Sequence, residues 1–219
     1  MLGLLVSMLL VLLILFFVFV LKKITHMNNE LLRKIVHISV SNWWLLNLLY
    51  VGDVRYAIVG PIAFMFMNSI FVFKPKIGDK FGFVGKTRNY GLVYYPFSLG
   101  ILVLLCYNNI IPYYAGTMGV LCMGYGDGFA AIAGTIWGKK KIPLETGGKT
   151  YLGSFVMVVV CNLICVFTFA LTTDFSTLSI IIASLIISLV ASLVEIITPL
   201  GLDNISVPLV TAILAGFIL

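Results

Sequence analysis

Long apolar stretches alternate with short polar loops along the whole of this chain. Eight stretches approach or exceed the roughly 20 residues that carry a helix across a bilayer. They are Leu2–Leu21, Ile35–Val51, Arg55–Phe73, Leu92–Tyr107, Ile111–Trp137, Tyr151–Leu171, Ser176–Thr198 and Asn204–Leu219. The second, fourth and eighth are short, so the pattern predicts a polytopic bundle of seven to eight transmembrane helices. The joining loops are brief, with no soluble insert, low-complexity tract or internal repeat. Residues 1–219 therefore read as one all-α integral membrane domain.

Composition agrees with the pattern. The chain is 61% hydrophobic and 10% charged, with a mean hydropathy of +1.14. A soluble domain of that make-up would have an apolar surface. The first apolar run has no lysine or arginine before it and no small-x-small cleavage site after it, which argues against a removed leader. Lys22 and Lys23 close it as a helix reaching an interface. Cys106, Cys122, Cys161 and Cys165 all fall inside apolar segments without metal-binding spacing, and read as small buried hydrophobes.

The positions of the charges matter more than the net charge of +6. All but Arg55 of the 14 lysines and arginines lie in the first, third and fifth loops. Alternating crossings put these loops on one side, which the positive-inside rule makes cytoplasmic, with both termini outside. Basic loops that also hold glycine-rich turns suit an anionic ligand on that side.

Several residues in the apolar pattern are out of place for packing alone. Asp127 interrupts the fifth segment, about ten residues or ~15 Å from its basic end. A carboxylate at that depth costs at least ~2.5 kcal/mol and calls for a cavity and a partner. Gly124, Gly126 and Gly128 around it are expected to weaken or break the helix, letting a ligand or a neighbouring backbone approach. Gly-x-x-x-Gly packing accounts for the glycines equally well, but not for the aspartate.

Lys139, Lys140 and Lys141 follow, and then Gly147-Gly148-Lys149-Thr150 at the start of the sixth segment. A helix start offers free N–H groups to phosphate. The sequence ends like a P-loop, yet Pro143 stands where that motif needs glycine and no strand precedes it. Arg33, Lys34 and His37 share a face of the second helix. Glu195 sits at a helix C-terminus, where a carboxylate needs a metal or a basic partner. Asp203 and Asn204 open the eighth segment, where helix capping explains them adequately. Tyr90, Tyr94 and Tyr95 read as an interfacial belt.

The lysine-derived topology thus gathers Arg33, Lys34, His37, Arg88, Asp127, Lys149, Glu195 and Asp203 at one mouth. Basic groups with three acids fit a nucleotide–magnesium site, in which Mg²⁺ takes one or two carboxylates plus phosphate oxygens.

In order along the chain, Arg33-Lys34-x-x-His37, Gly126-Asp127-Gly128-x-Ala130-Ala131, Gly138-Lys139, Gly148-Lys149-Thr150-x-x-Gly153-Ser154, Glu195 and Asp203-Asn204-x-x-x-Pro208 resemble the CTP-dependent lipid-alcohol kinases. That family includes phytol, dolichol and CTP-dependent diacylglycerol kinases. The resemblance covers a core from residue 33 to 208, with the first helix, 1–21, less clearly part of it. Arg88-x-x-Gly91-x-x-x-Tyr95-Pro96 is similar too, although Leu92 stands where many members carry an acid.

The resemblance implies a membrane kinase passing the γ-phosphoryl of CTP, or another nucleoside triphosphate, to a lipid alcohol. Asp127, Glu195 and Asp203 are the metal candidates. Arg33, Lys34, Arg88, Lys139, Gly148, Lys149 and Thr150 are the phosphate-binding candidates. Asp127, Lys149, His37 and Glu195 are the catalytic ones, with Gly126, Gly128 and Asn204 in support. The expected partners are the nucleotide, the lipid acceptor and the bilayer, and no feature calls for nucleic acid. A cytidylyltransferase making CDP-lipid uses similar parts, and a transporter with Asp127 and Glu195 as coupling sites is a reading from another class.

Overall fold

The apolar segments become helices whose ends lie within a few residues of those expected, apart from the early start of the second. The computed structural model describes residues 2–24, 29–74, 90–144 and 148–218. Helix α1 (Leu2–Ile24) leads to α2 (Asn29–Tyr50). A single turn, α3 (Val54–Ala57), runs into α4 (Val59–Phe73), and α5 (Gly91–Tyr107) follows. The fifth segment is one continuous span made of α6 (Tyr113–Leu121), a π-helix (Cys122–Asp127) and α7 (Gly128–Ile136). Helices α8 (Tyr151–Thr172), α9 (Thr177–Ile197) and α10 (Asp203–Phe217) complete the chain. Among the described residues no strand forms beyond an isolated bridge between Lys141 and Thr150.

The spans Val54–Phe73, Tyr113–Ile136, Tyr151–Thr172 and Thr177–Ile197 are long and apolar enough to cross a membrane, while Gly91–Tyr107 and Asp203–Phe217 are shorter apolar helices. Helices α1 and α2 have 23 and 22 residues, and 22 residues span ~33 Å. The protein is an all-α polytopic membrane protein, whose outer face presents Leu163, Phe167, Leu171 and Leu193 rather than charge.

The fifth segment is the hub, packing against α2, α5, α8 and α10. Small residues make this possible. A Cβ on Gly128 would lie 2.5 Å from Ile38 Cγ1 of α2, and one on Gly126 would lie 2.6 Å from Cys161 Sγ of α8. Gly124 abuts Ser41 of α2 in the same way. The expected helix break does not occur. The chain widens into π-helical turns, a form that clusters at functional sites, and Asp127 remains part of a continuous helix.

Further from the lysines, Trp43 and Trp44 are fully buried. Trp43 packs on Gly60 of α4, and Trp44 Nε1 donates to Thr117 Oγ1 at 3.0 Å. Pro96 in α5 has no N–H for the carbonyl one turn before it, and Asn68 Nδ2 of α4 donates to that oxygen, Leu92 O, at 2.7 Å instead. Cys106, Cys122, Cys161 and Cys165 are free and buried. The starts of α2, α5, α8 and α10 and the ends of α1, α4, α7 and α9 share one end of the bundle, the basic end.

Candidate active site

At the basic end, four helices each contribute a charged side chain to one buried cluster. Helix α2 starts at Asn29, six residues before the expected apolar run, so Arg33, Lys34 and His37 are all helical. The Gly124 and Gly128 contacts hold α2 close to the π-helix. At that approach Lys34 Nζ donates to Asp127 Oδ2 in a buried ion pair.

On the other side, Lys149 precedes the first turn of α8 and reaches two more acids. Its Nζ lies 2.8 Å from Glu195 Oε1 and 3.4 Å from Asp203 Oδ2, and it also donates to the Glu195 carbonyl. Glu195 ends α9, so its carboxylate has the basic partner that its position demanded. Carboxylate oxygens of Asp127, Glu195 and Asp203 lie within 4.8 Å of one another, and all three residues are buried. Such a cluster is costly unless its charges are matched, and the two lysines match most of it.

The local structure refines three expectations. Thr150 caps α8, its Oγ1 accepting from Gly153 N at 3.1 Å, while Tyr151 N donates to Lys140 O. Two N–H groups at that helix start are therefore already used. Gly148 takes φ +77°, a conformation that favours glycine, to turn the chain into the helix. Asp203 is not a cap. Leu202 holds the cap position without a side-chain bond, and the Asp203 carboxylate turns towards Lys149. Gly126 and Gly128 lie where neighbouring helices approach closely.

Lys139 is exposed and has no contact with the cluster among the described residues. Arg33 is half-buried beside Lys34 and has no ion-pair partner among the described residues. Arg88 lies outside the described residues, as do His26, Lys76, Lys80, Lys86 and Gly147.

His37, one turn along α2 from Lys34, is buried with Nδ1 unpaired. Its ring stacks on Tyr95 of α5, with centroids 4.7 Å apart and planes at 22°. Tyr95 corrects the expectation of an interfacial belt: it is buried, while Tyr90 stays exposed and stacks loosely on Tyr94. Periodicity alone misses Tyr95. The Tyr-Pro pair in the fourth segment was its only signal.

No family model matches the chain, and no solved structure does. A phytol kinase from Synechocystis sp. is 30% identical over 191 residues, a span covering 85% of this chain and 78% of that protein. The chain belongs to that lipid-alcohol kinase family.

For a lipid-alcohol kinase, the donors present fit a hard divalent cation. Three buried carboxylates from three helices converge, and all the donor atoms are oxygen. Asn204 adds a fourth. Its amide nitrogen is committed to Gly201 O at 2.9 Å and Asp203 Oδ1 at 3.0 Å, which leaves its buried Oδ1 without a partner. No sulfur or imidazole joins the carboxylate cluster among the described residues, which disfavours zinc.

Proposed function

We propose that the protein transfers the γ-phosphoryl group of CTP, or of another nucleoside triphosphate, to the hydroxyl of a membrane lipid alcohol, with magnesium, at the cytoplasmic face. The observation that carries this reading is the meeting of Asp127, Glu195 and Asp203 with Lys34 and Lys149 at the basic end of the bundle. Family membership supports the kinase class. The lysine bias of the loops supports the side.

The chemistry needs alignment and charge neutralisation more than covalent help. Asp127, Glu195 and Asp203 would hold the magnesium ion, with Asn204 Oδ1 available beside them. When bound, that ion supplies positive charge to the β- and γ-phosphate oxygens. Lys149 and Lys34 hold phosphate oxygens, and each sits within reach of the acids whose charge it balances in the free protein. Arg33 adds a cation at the rim of the site. Lys139, exposed beyond the end of α7, acts as an outer steering charge, and Arg88 binds phosphate. The surrounding apolar helices keep water from the reacting oxygen, and the acceptor arrives from within the lipid.

Purified protein in detergent, given labelled CTP, magnesium and a panel of lipid alcohols, should release CDP and a phosphorylated lipid. Release of pyrophosphate would replace this reading with a cytidylyltransferase. No turnover with any nucleotide would remove it.

A further inference from the structure

A small cavity between α2, α4 and α5 has the properties of a seat for the acceptor's hydroxyl end. Its volume of about 30 Å³ exceeds the ~10–15 Å³ needed to hold one water-sized group. Val40, Phe64 and Leu99 make its walls apolar, and His37 presents the polar edge. The imidazole is buried, clamped flat by Tyr95, and has an unpaired Nδ1. Lys34 lies one turn away on the same helix and holds Asp127, so the cavity sits one turn along α2 from that ion pair. Asn68 is the partly exposed residue of its wall.

Of the helices around the cavity, α4 and α5 pack closely on each other and α2 and α4 do not. Helices α2 and α4 hardly touch by backbone and are bridged by Trp43 on Gly60, away from the cavity. Helix α1 packs chiefly on α2 and reaches across to α4, burying its own Val11 and Ile14. This loosely packed α2–α4 seam borders the cavity, and α1 lies across both helices.

The larger apolar groove, of about 680 Å³ between α2, α6 and α8, is a poorer seat. Tyr125 and Phe129 line it, and Tyr125 is tied to Asn42 at 2.9 Å. The tight Gly124 and Gly128 contacts with α2 and the Gly126 contact with α8 close it off from Asp127.

We infer that the cavity beside His37 binds the hydroxymethyl end of a single-chain lipid alcohol, whose hydrocarbon tail lies in the α2–α4 seam beneath α1, and that two-chain glycerolipids are excluded. This rests on the kinase reading above. In the step itself an alcohol oxygen lone pair forms the new bond to the γ-phosphorus. The bond from that phosphorus to the bridging oxygen breaks, its electron pair leaves on the nucleoside diphosphate, and the alcohol proton passes to His37 Nδ1. His37 is then the group that orients and deprotonates the acceptor, in preference to Glu195, which Lys149 occupies.

The test uses the full chain in nanodiscs. A diazirine-bearing linear C20 alcohol should cross-link to peptides of α2 and α4, and unlabelled linear alcohol should compete where diacylglycerol does not. Val40→Phe, which fills the cavity, should raise the alcohol KM about tenfold or more and leave the nucleotide KM unchanged. Thr168→Phe in the larger groove should change neither. His37→Ala should lower kcat by about 10²–10⁴-fold, with part regained in His37→Gln, and both variants should bind labelled nucleotide as the parent does.

Cross-links confined to α6 and α8, with Thr168→Phe blocking and Val40→Phe inert, would overturn the inference while the kinase reading stands. Preferred phosphorylation of diacylglycerol would overturn its single-chain part. Absence of turnover with every alcohol would instead sink the kinase reading, and the cross-link map would still decide the binding site.

Discussion

The two ends of the molecule handle charge in opposite ways. At the end away from the lysines, Arg55 pairs with Asp53 two residues earlier, at 2.7 Å, with side chains 82% and 34% exposed. At the basic end, Lys34 and Asp127 are 93 residues apart in sequence and pair with side chains 11% and 4% exposed. Lys149 joins acids 46 and 54 residues away. The exposed pair is local, follows from the sequence, and helps α3 begin, since Asp53 also accepts from Arg55 N. The buried pairs require four helices to be brought together. They remove charge from water at a cost that ion pairing alone seldom recovers, which is the mark of a site kept for use.

The largest predicted effects come from breaking the buried side. Asp127→Asn should abolish phosphoryl transfer while the protein still elutes as a folded species. Normal turnover in that variant would remove Asp127 from the site. Lys149→Met strips the shared cation from two buried carboxylates. It should destabilise the fold by about 3–5 kcal/mol, seen as a lower melting temperature in detergent, and millimolar magnesium should restore much of the loss. If magnesium has no effect on that variant, the metal assignment of Glu195 and Asp203 is wrong.

A middling effect is expected where the helices approach. Gly128→Ala places a methyl group against Ile38 and should cost about 1–3 kcal/mol, measurable as reduced thermal stability. Combining it with Ile38→Ala should recover part of that cost. Additive losses in the double variant would mean that the close approach lies elsewhere.

The smallest effect belongs to the exposed pair. Arg55→Ala should leave both turnover and melting temperature unchanged. The Arg55 side chain, hydrogen-bonded to Asp53, holds that carboxyl below the usual carboxylate range. Whatever the pair contributes is therefore present above the ordinary carboxylate pKa and lost as pH falls through the lowered one. A stability difference between Arg55→Ala and the parent that appears only as the pH falls below the carboxylate range would contradict this account.

Much of the architecture was legible in the chain because a bilayer makes strict demands. Backbone groups in lipid must be paired internally, so each apolar run of sufficient length becomes a helix. Asp127, Lys34, Lys149, Glu195 and Asp203 were visible for the same reason, since charge in or beside such runs is expensive. The residues that packing governs were less legible. Tyr95 looked like an interfacial tyrosine, and Asp203 like a helix cap. Each reading depended on what lay opposite, which local spacing does not state. The π-helical turns were hidden too, because glycines next to an acid predict a weak helix without saying how neighbouring helices will hold it.

The order of helices, the basic end and the identity of the buried acids were set by the sequence, through the free energy of moving apolar and charged groups between water and lipid. Tertiary structure alone decided which lysine answers which acid, that His37 is clamped with one nitrogen free, and that the cavity lies on the α2–α4 side rather than at the larger groove. Those outcomes depend on distances between helices, and the small residues at Gly124, Gly126 and Gly128 fix these only once the helices have packed.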